Sequence, residues 1–155
     1  MIKYRDASKD DLFYILELGF NSGIKYPIEN YKVDQTKWTK FVISWLESSI
    51  NKECFFRLAF ENNKLVGMAI GVPTVWHYSD DVYLEMKEIL VDEELSTKLK
   101  SIIVKKLVEQ AEDAAKSVGL KGISAFSIRP NSQAYSNFFC NKLDWTPASG
   151  AKKIF

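Results

Sequence analysis

The chain has one histidine, His77, and two cysteines, Cys54 and Cys140, among 155 residues. One histidine excludes a histidine-rich metal site, and the cysteines are far apart and lack metal-ligand spacing. That cysteine usage fits a reduced, cytoplasmic setting, and no metal is expected. No apolar run approaches the roughly 20 residues of a membrane-spanning helix. The opening MIKYRDASKDD is charged and has no signal-peptide core. The formal net charge is +1, so no strong general field draws the protein to nucleic acid or to an anionic membrane. Lys and Arg are balanced by Asp and Glu without clustering, and neither partner is expected. There is no internal repeat, low-complexity tract or linker. What remains is 46% hydrophobic and 26% charged, ordinary for a single globular domain over residues 1–155. Aromatic residues make up 14%, which points to a ring-rich core.

In chain order, residues 2–5 can form a short edge strand. Ser8 and Asp11 resemble a capping box, so a helix with Leu12, Ile15 and Leu16 buried should follow and end near Gly19. Residues 21–33 have no clear period and read as a loop, with Tyr26 and Tyr31 beside a substrate entrance or packed on the next helix. Asp34 can cap a second helix, in which Trp38, Phe41, Val42, Trp45 and Leu46 recur at helical spacing, an aromatic stripe that should face the core. Residues 55–60 and 64–72 read as strands joined by a turn at Glu61-Asn62-Asn63, since Asn tolerates positive φ. Gly67 suggests a bulge or a close backbone approach. Pro73 ends the ladder or puts it at an edge. Residues 75–81 read as a loop holding Trp76 and His77.

Residues 83–91 then read as a strand. The acidic turn Asp92-Glu93-Glu94 follows, and Leu95, Leu99, Ile102, Ile103 and Leu107 fall at helical spacing. The opening of such a helix has unpaired N–H groups and partial positive charge, where a phosphate can sit. This helix should stop at Gly119. Residues 122–128 read as a buried strand, and Ser132 is a good cap for a last helix running to about Leu143. The order predicts an α/β (α+β) mixed sheet with helices on both faces.

Three stretches give this order a resemblance to the GNAT-type N-acetyltransferases. Glu85-Met86-Lys87-Glu88-Ile89-Leu90-Val91 looks like the family's fourth strand. The acidic turn and long helix look like its acetyl-CoA segment. Asn131-x-x-Ala134, Phe138-Phe139 and Leu143-Asp144-Trp145 are similar to its final motif. There are departures. The pyrophosphate window, Ser96-Thr97-Lys98-Leu99-Lys100-Ser101, has Leu99 where a Gly is usual and Ser96 where an Arg or Gln is usual. The closing Gly-Phe is Asp144-Trp145, and a Tyr found in many active members is Phe139.

The resemblance implies acetyl transfer from acetyl-CoA to an amine of a small molecule or protein. It assigns cofactor contacts to Ile89, Leu90 and Val91 and to the amides of Ser96, Thr97, Lys98, Leu99, Lys100 and Ser101. Lys98 or Lys100 would add charge, and Asn131 would bond the pantetheine arm. Glu85 matches the position of a general base, with a solvent-facing or Lys87-paired carboxylate as its other reading. By simple alternation Glu85 shares a face with Lys87, Ile89 and Val91, and Glu88 points the other way. Tyr135, one turn before Phe139, is the nearest phenol for the leaving thiolate or a core tyrosine. Cys140 is the adjacent alternative, and a small buried hydrophobe is its simpler role. A GNAT-like acyl-CoA-binding or interaction module with weakened chemistry is the second reading of the whole chain, and a homodimer is possible.

Overall fold

A computed structural model describes residues 1–25, 34–75, 80–125 and 132–147. The elements run β1 (Ile2–Asp6), α1 (Leu12–Lys25), α2 (Gln35–Ile50), β2 (Phe55–Glu61), β3 (Lys64–Val75), β4 (Val82–Val91), α3 (Thr97–Ser117), β5 (Gly122–Ala125) and α4 (Ser132–Leu143). The strands form one sheet in the order β1-β2-β3-β4-β5. The first three pairings are antiparallel and β4–β5 is parallel. A parallel pair needs a crossover, and α3 supplies it. β1 is an edge strand, as its sequence suggests.

Alternation along the strands feeds two cores. On one face, Ile15 and Leu18 of α1 and Val42 and Leu46 of α2 pack on Phe56, Leu58, Met68 and Ile70. On the other, Ile103, Val104, Leu107, Val108 and Ala111 of α3 and Phe139 of α4 pack on Ala59, Val66, Ala69, Leu84 and Met86. Helices therefore cover both faces of an α/β mixed sheet, as expected.

The polar anchors follow from sequence. Asp11 is buried, yet its carboxylate accepts from the Ser8 N–H (2.8 Å) and Oγ (2.8 Å) and from the two terminal guanidinium nitrogens of Arg5 (2.7 and 2.6 Å). Asp34 caps α2 by accepting from the Lys37 N–H. Asn62 and Asn63 both take positive φ in the β2–β3 turn, and Gly119 does so at the end of α3.

Several expectations need correction. α1 does not end at Gly19 but continues to Lys25, which also converts residues 21–25 from loop to helix. Gly19 serves packing, because a Cβ there would overlap the Trp38 ring of α2. In α2, Phe41 is 56% exposed and stacks on Trp45 instead of entering the core. Pro73 does not end β3, which runs on to Val75. The β2–β3 pairing stops at Phe55↔Gly71, while Pro73 still pairs with Leu84. It thus lies past the end of the β2 pairing, where β3 has no partner on that side among the described residues, and its missing N–H costs no bond to β2. Gly67 meets both expectations: the ladder shifts register beside it, and a Cβ there would lie 2.7 Å from Ile103 Cγ2. Ser132 is the first residue of α4, not a cap outside it. β5 is half-buried and described only to Ala125. Tyr26, Tyr31, Trp76 and His77 lie outside the described residues.

Candidate active site

β4 carries the largest departure from simple alternation. Its pairing with β3 runs Ala69↔Ile89 and Ile70↔Glu88, then jumps to Gly71↔Met86. Lys87 is therefore an extra residue, a β-bulge. Before it, Leu84 and Met86 face α3. After it, Ile89 and Val91 face α3 while Leu90 joins Met68 and Ile70 beneath α1 and α2. The expectation that Glu85 shares a face with Ile89 and Val91 is thus overturned. Glu88, set opposite Ile70, lies on the α1 side with Leu90, and cross-strand register brings Glu85, opposite Val72, to that same side.

The chemistry around Glu85 is specific. Its carboxylate forms an ion pair with Lys87 at 2.7 Å and accepts from Thr74 Oγ1 at 3.1 Å. The Lys87 hydrogen bond, with help from Thr74, holds the Glu85 carboxyl below its ordinary range despite partial burial. This is the Lys87-paired arrangement named above as the other reading of Glu85.

Beyond β4 the chain is pinned. The Asp92 N–H donates to the Val66 carbonyl at 2.9 Å. One Asp92 carboxylate oxygen accepts the Glu94 N–H at 3.0 Å, and the other accepts Lys64 Nζ at 2.6 Å. Glu93 is paired with Lys100 at 2.6 Å. Asp92 and Glu93 are thus each matched by a lysine, which reduces their repulsion toward an anion at the helix start. Ser96 caps α3, its Oγ accepting the Leu99 N–H at 3.3 Å and its carbonyl the Lys100 N–H at 3.0 Å.

The six-residue window from Ser96 to Ser101 therefore narrows. Leu99 and Lys100 have their amides engaged, and Ser101 is already within the helix. Thr97 and Lys98 retain N–H groups with no hydrogen bond among the described residues, and Ser96, Thr97 and Lys98 are exposed. The Leu99 side chain packs against the α3-side core and leaves the helix opening clear, which a ligand there would require. Lys98 can lend charge, whereas Lys100 must first leave Glu93. These exposed amides fit one phosphate group.

The β4–β5 pairing covers only the first half of β4, from Tyr83↔Gly122 to Met86↔Ala125. Ile89, Leu90 and Val91 have no strand partner on the β5 side among the described residues. The far end of the site is less complete. Asn131 lies outside the described residues. Tyr135 lies in α4, one turn before Phe139, but its side chain is also outside them. Phe139 is buried with its ring 4.7 Å from that of Trp145, and the Trp145 indole donates to Glu112 at 2.7 Å. Cys140 is half-buried. Asp144, where the resemblance expects Gly, has φ 55°. Among the described residues no group of His, Cys, Asp and Glu could hold a metal, and no helix is long and apolar enough to cross a membrane.

Solved structures match this arrangement along nearly its whole length. A possible acetyltransferase from Clostridium difficile is 17% identical with a TM-score of 0.73, the match covering 100% of this chain and 97% of that one. The chain has the GNAT fold. A GNAT family acetyltransferase from Staphylococcus aureus is 17% identical with a TM-score of 0.66, covering 99% and 98%. An aminoglycoside acetyltransferase from an uncultured soil metagenomic sample, in complex with sisomicin, is 16% identical with a TM-score of 0.69, covering 99% and 94%. No family model matches the chain, and no curated protein matches it in sequence. At such identities it is the GNAT fold, not the chemistry, that is established.

The bulge, which puts Glu85 and Glu88 on one face, is what sequence reasoning missed, yet a signal was present. Apolar residues occupy even positions at Leu84 and Met86 and odd positions at Ile89 and Val91. A change of phase within one strand requires an extra residue between them.

Proposed function

We propose that the protein transfers an acetyl group from acetyl-CoA to an amine. The observation that carries this reading is the exposed opening of α3, where the Thr97 and Lys98 amides have no hydrogen bond among the described residues, directly beyond a bulged β4. An amide pair at a helix start suits one phosphate of the diphosphate. Bound acetyl-CoA supplies the activated acyl thioester. The chain's own task is to hold the thioester carbonyl beside β4, where backbone amides near Leu90 can stabilise developing charge, and to hold the amine in line with it. An amine with a lysine-like pKa of about 10.4 is mostly protonated near neutral pH, so a carboxylate on the same side of β4 must accept a proton. Asn131 and Tyr135 complete the proposal at the pantetheine and thiol end.

A second reading, an acyl-CoA-binding module with weak chemistry, draws support from the Ser96 cap, which leaves only two amides of the window without a hydrogen bond among the described residues, and from buried Phe139. Thermal shift with acetyl-CoA, CoA and ATP, followed by thiol release over an amine panel, separates the two. The panel includes an amino sugar, because one similar structure is an aminoglycoside acetyltransferase. A stability gain with acetyl-CoA and CoA plus amine-dependent thiol release is the expected result. A gain without release leaves the module, and no gain at millimolar acetyl-CoA removes both.

A further inference from the structure

We infer that the acceptor is an amino acid whose side chain ends in the reacting amine, anchored by its α-ammonium on Glu85 and its α-carboxylate on Lys87. This rests on the acetyltransferase reading and names the acceptor class for it. The anchor lies on the α1 side of the sheet. There α1 and α2 cover Phe56, Leu58, Met68, Ile70 and Leu90. Farther along the same face Val72, Thr74 and Glu85 are only half-buried, and Lys87 is exposed. That stretch of sheet has a polar floor open to a ligand, and it lies where the described β5 pairing runs out after Met86↔Ala125.

The Glu85–Lys87 pair has spare bonding capacity on both sides. The bonds from Lys87 Nζ at 2.7 Å and from Thr74 Oγ1 at 3.1 Å both end on Glu85 Oε2. Among the described residues Oε1 accepts no hydrogen bond. Lys87 Nζ carries three donors, and among the described residues only Glu85 takes one. An incoming ammonium can therefore bond Oε1, and an incoming carboxylate Nζ, with the pair intact. An α-amino acid holds these two groups side by side on one carbon, as the pair holds its own. Bonds between full charges are the strong ones. A plain amine would meet the Lys87 charge with nothing to match it, and a plain acid would meet that of Glu85. Asp81 and Lys121, near the start of β4, pair with each other at 3.9 Å, and Glu88, farther along the face, has an interaction of its own.

Distance selects the side-chain amine over the α-amine. The pair precedes the Leu90 amide by about four residues, roughly 13 Å along a strand. About 3 Å of that is the hydrogen bond from the amide to the thioester oxygen. About 3 Å more is the approach of the nitrogen to the carbonyl carbon. Roughly 7 Å is left to fill. An α-amine seated on Glu85 does not reach across it, whereas a flexible four-carbon stem does. In the step, the side-chain ammonium gives up one proton, which passes to water. The nitrogen lone pair forms the C–N bond at the thioester carbonyl carbon. The C–S bond breaks with its electron pair on sulfur, and the thiolate takes the second proton from nitrogen. The products are a side-chain N-acetyl amino acid and CoA.

Thiol release from acetyl-CoA with lysine, ornithine, lysine amide, Nα-acetyl-lysine, cadaverine and an amino sugar tests the assignment. Lysine or ornithine should exceed the other four in kcat/KM by about tenfold or more, since each of the four lacks an α-ammonium, an α-carboxylate or both. Proton NMR of the product should place the acetyl group on the side-chain nitrogen. Lys87→Met, checked for folding by thermal melting, should raise KM for the amino acid about tenfold, keep kcat within about threefold, and erase the preference over cadaverine. Lys87→Arg keeps the cation and should keep most of the preference, a rescue that a merely structural role for Lys87 would not predict. Equal or better use of cadaverine, lysine amide or the amino sugar overturns the inference, as does acetylation of the α-amine or a preference that survives Lys87→Met. In each of those outcomes thiol is still released, so the acetyltransferase reading stands. A protein that binds CoA but releases no thiol with any amine overturns both.

Discussion

The two halves of β4 follow different rules. From Val82 to Met86 the strand is flanked by β3 and β5, and even-numbered residues face α3. From Glu88 to Val91 it has β3 alone among the described residues, and odd-numbered residues face α3. One residue, Lys87, separates them. In the first half the half-buried Glu85 carboxylate is bonded to Lys87 and Thr74. The second half is where the sheet's backbone is available and the chain leads into the exposed start of α3. A bulge lets one strand serve both purposes without breaking the ladder to β3.

The contrast can be broken first at Leu90. It is 3% exposed and lies in the core under α1 and α2. Leu90→Ala should cost about 2–4 kcal/mol in urea denaturation, while Lys87→Ala, at the exposed bulge, should stay within about 0.5 kcal/mol. Equal costs would mean that the register after Met86 is wrong.

The glycines opposite each half sharpen the comparison. Gly67 pairs with Val91, and an added methyl there would meet a branch of Ile103 at 2.7 Å on the rigid α3 helix. Gly71 pairs with Met86, and its added methyl would meet Leu84 Cγ at 2.9 Å and Met86 Sδ at 3.1 Å, groups that can rotate aside. Gly67→Ala should therefore destabilise by about 1–3 kcal/mol and Gly71→Ala by less, measured in the same denaturation series. The reverse order would place the tight approach of α3 on the wrong half.

The smallest effect is electrostatic. The Glu85 carboxyl sits below its ordinary 4.5 because of Lys87 and Thr74. Its folded-state pKa is lower than its unfolded one, so its contribution is present above about pH 4.5 and is lost as pH falls through the lower folded value. Lys87→Ala should flatten the fall in melting temperature below that pH and change little near pH 7. An unchanged acid limb would show that the ion pair carries no weight in solution.

The fold was legible because its signals are local and agree with one another. Asp34 caps α2, Asn62-Asn63 turn the hairpin, and Gly119 ends α3, each by the chemistry of its own side chain or its lack of one. Gly19 misled because a packing glycine and a capping glycine are identical in sequence, and only Trp38, brought in by tertiary contact, tells them apart. A helix opening just past the acidic turn was legible, although it starts at Thr97 and leaves Leu95 before it; how many of its first amides stay without a hydrogen bond among the described residues was not legible. That number depends on whether Ser96 turns its hydroxyl back onto Leu99, and on Leu99 burying its side chain in the core. The face carrying Glu85 was misread past Lys87 because alternation was assumed through a strand whose phase changes.

The central claim is that the amides opening α3 receive a phosphate of the cofactor. Following backbone amide resonances while CoA is added tests it residue by residue. The Thr97 and Lys98 amides should shift most, with Leu99 responding only as the Ser96 hydroxyl is displaced. Saturating CoA that leaves Thr97 and Lys98 unmoved, or that perturbs a different part of the chain, would contradict it.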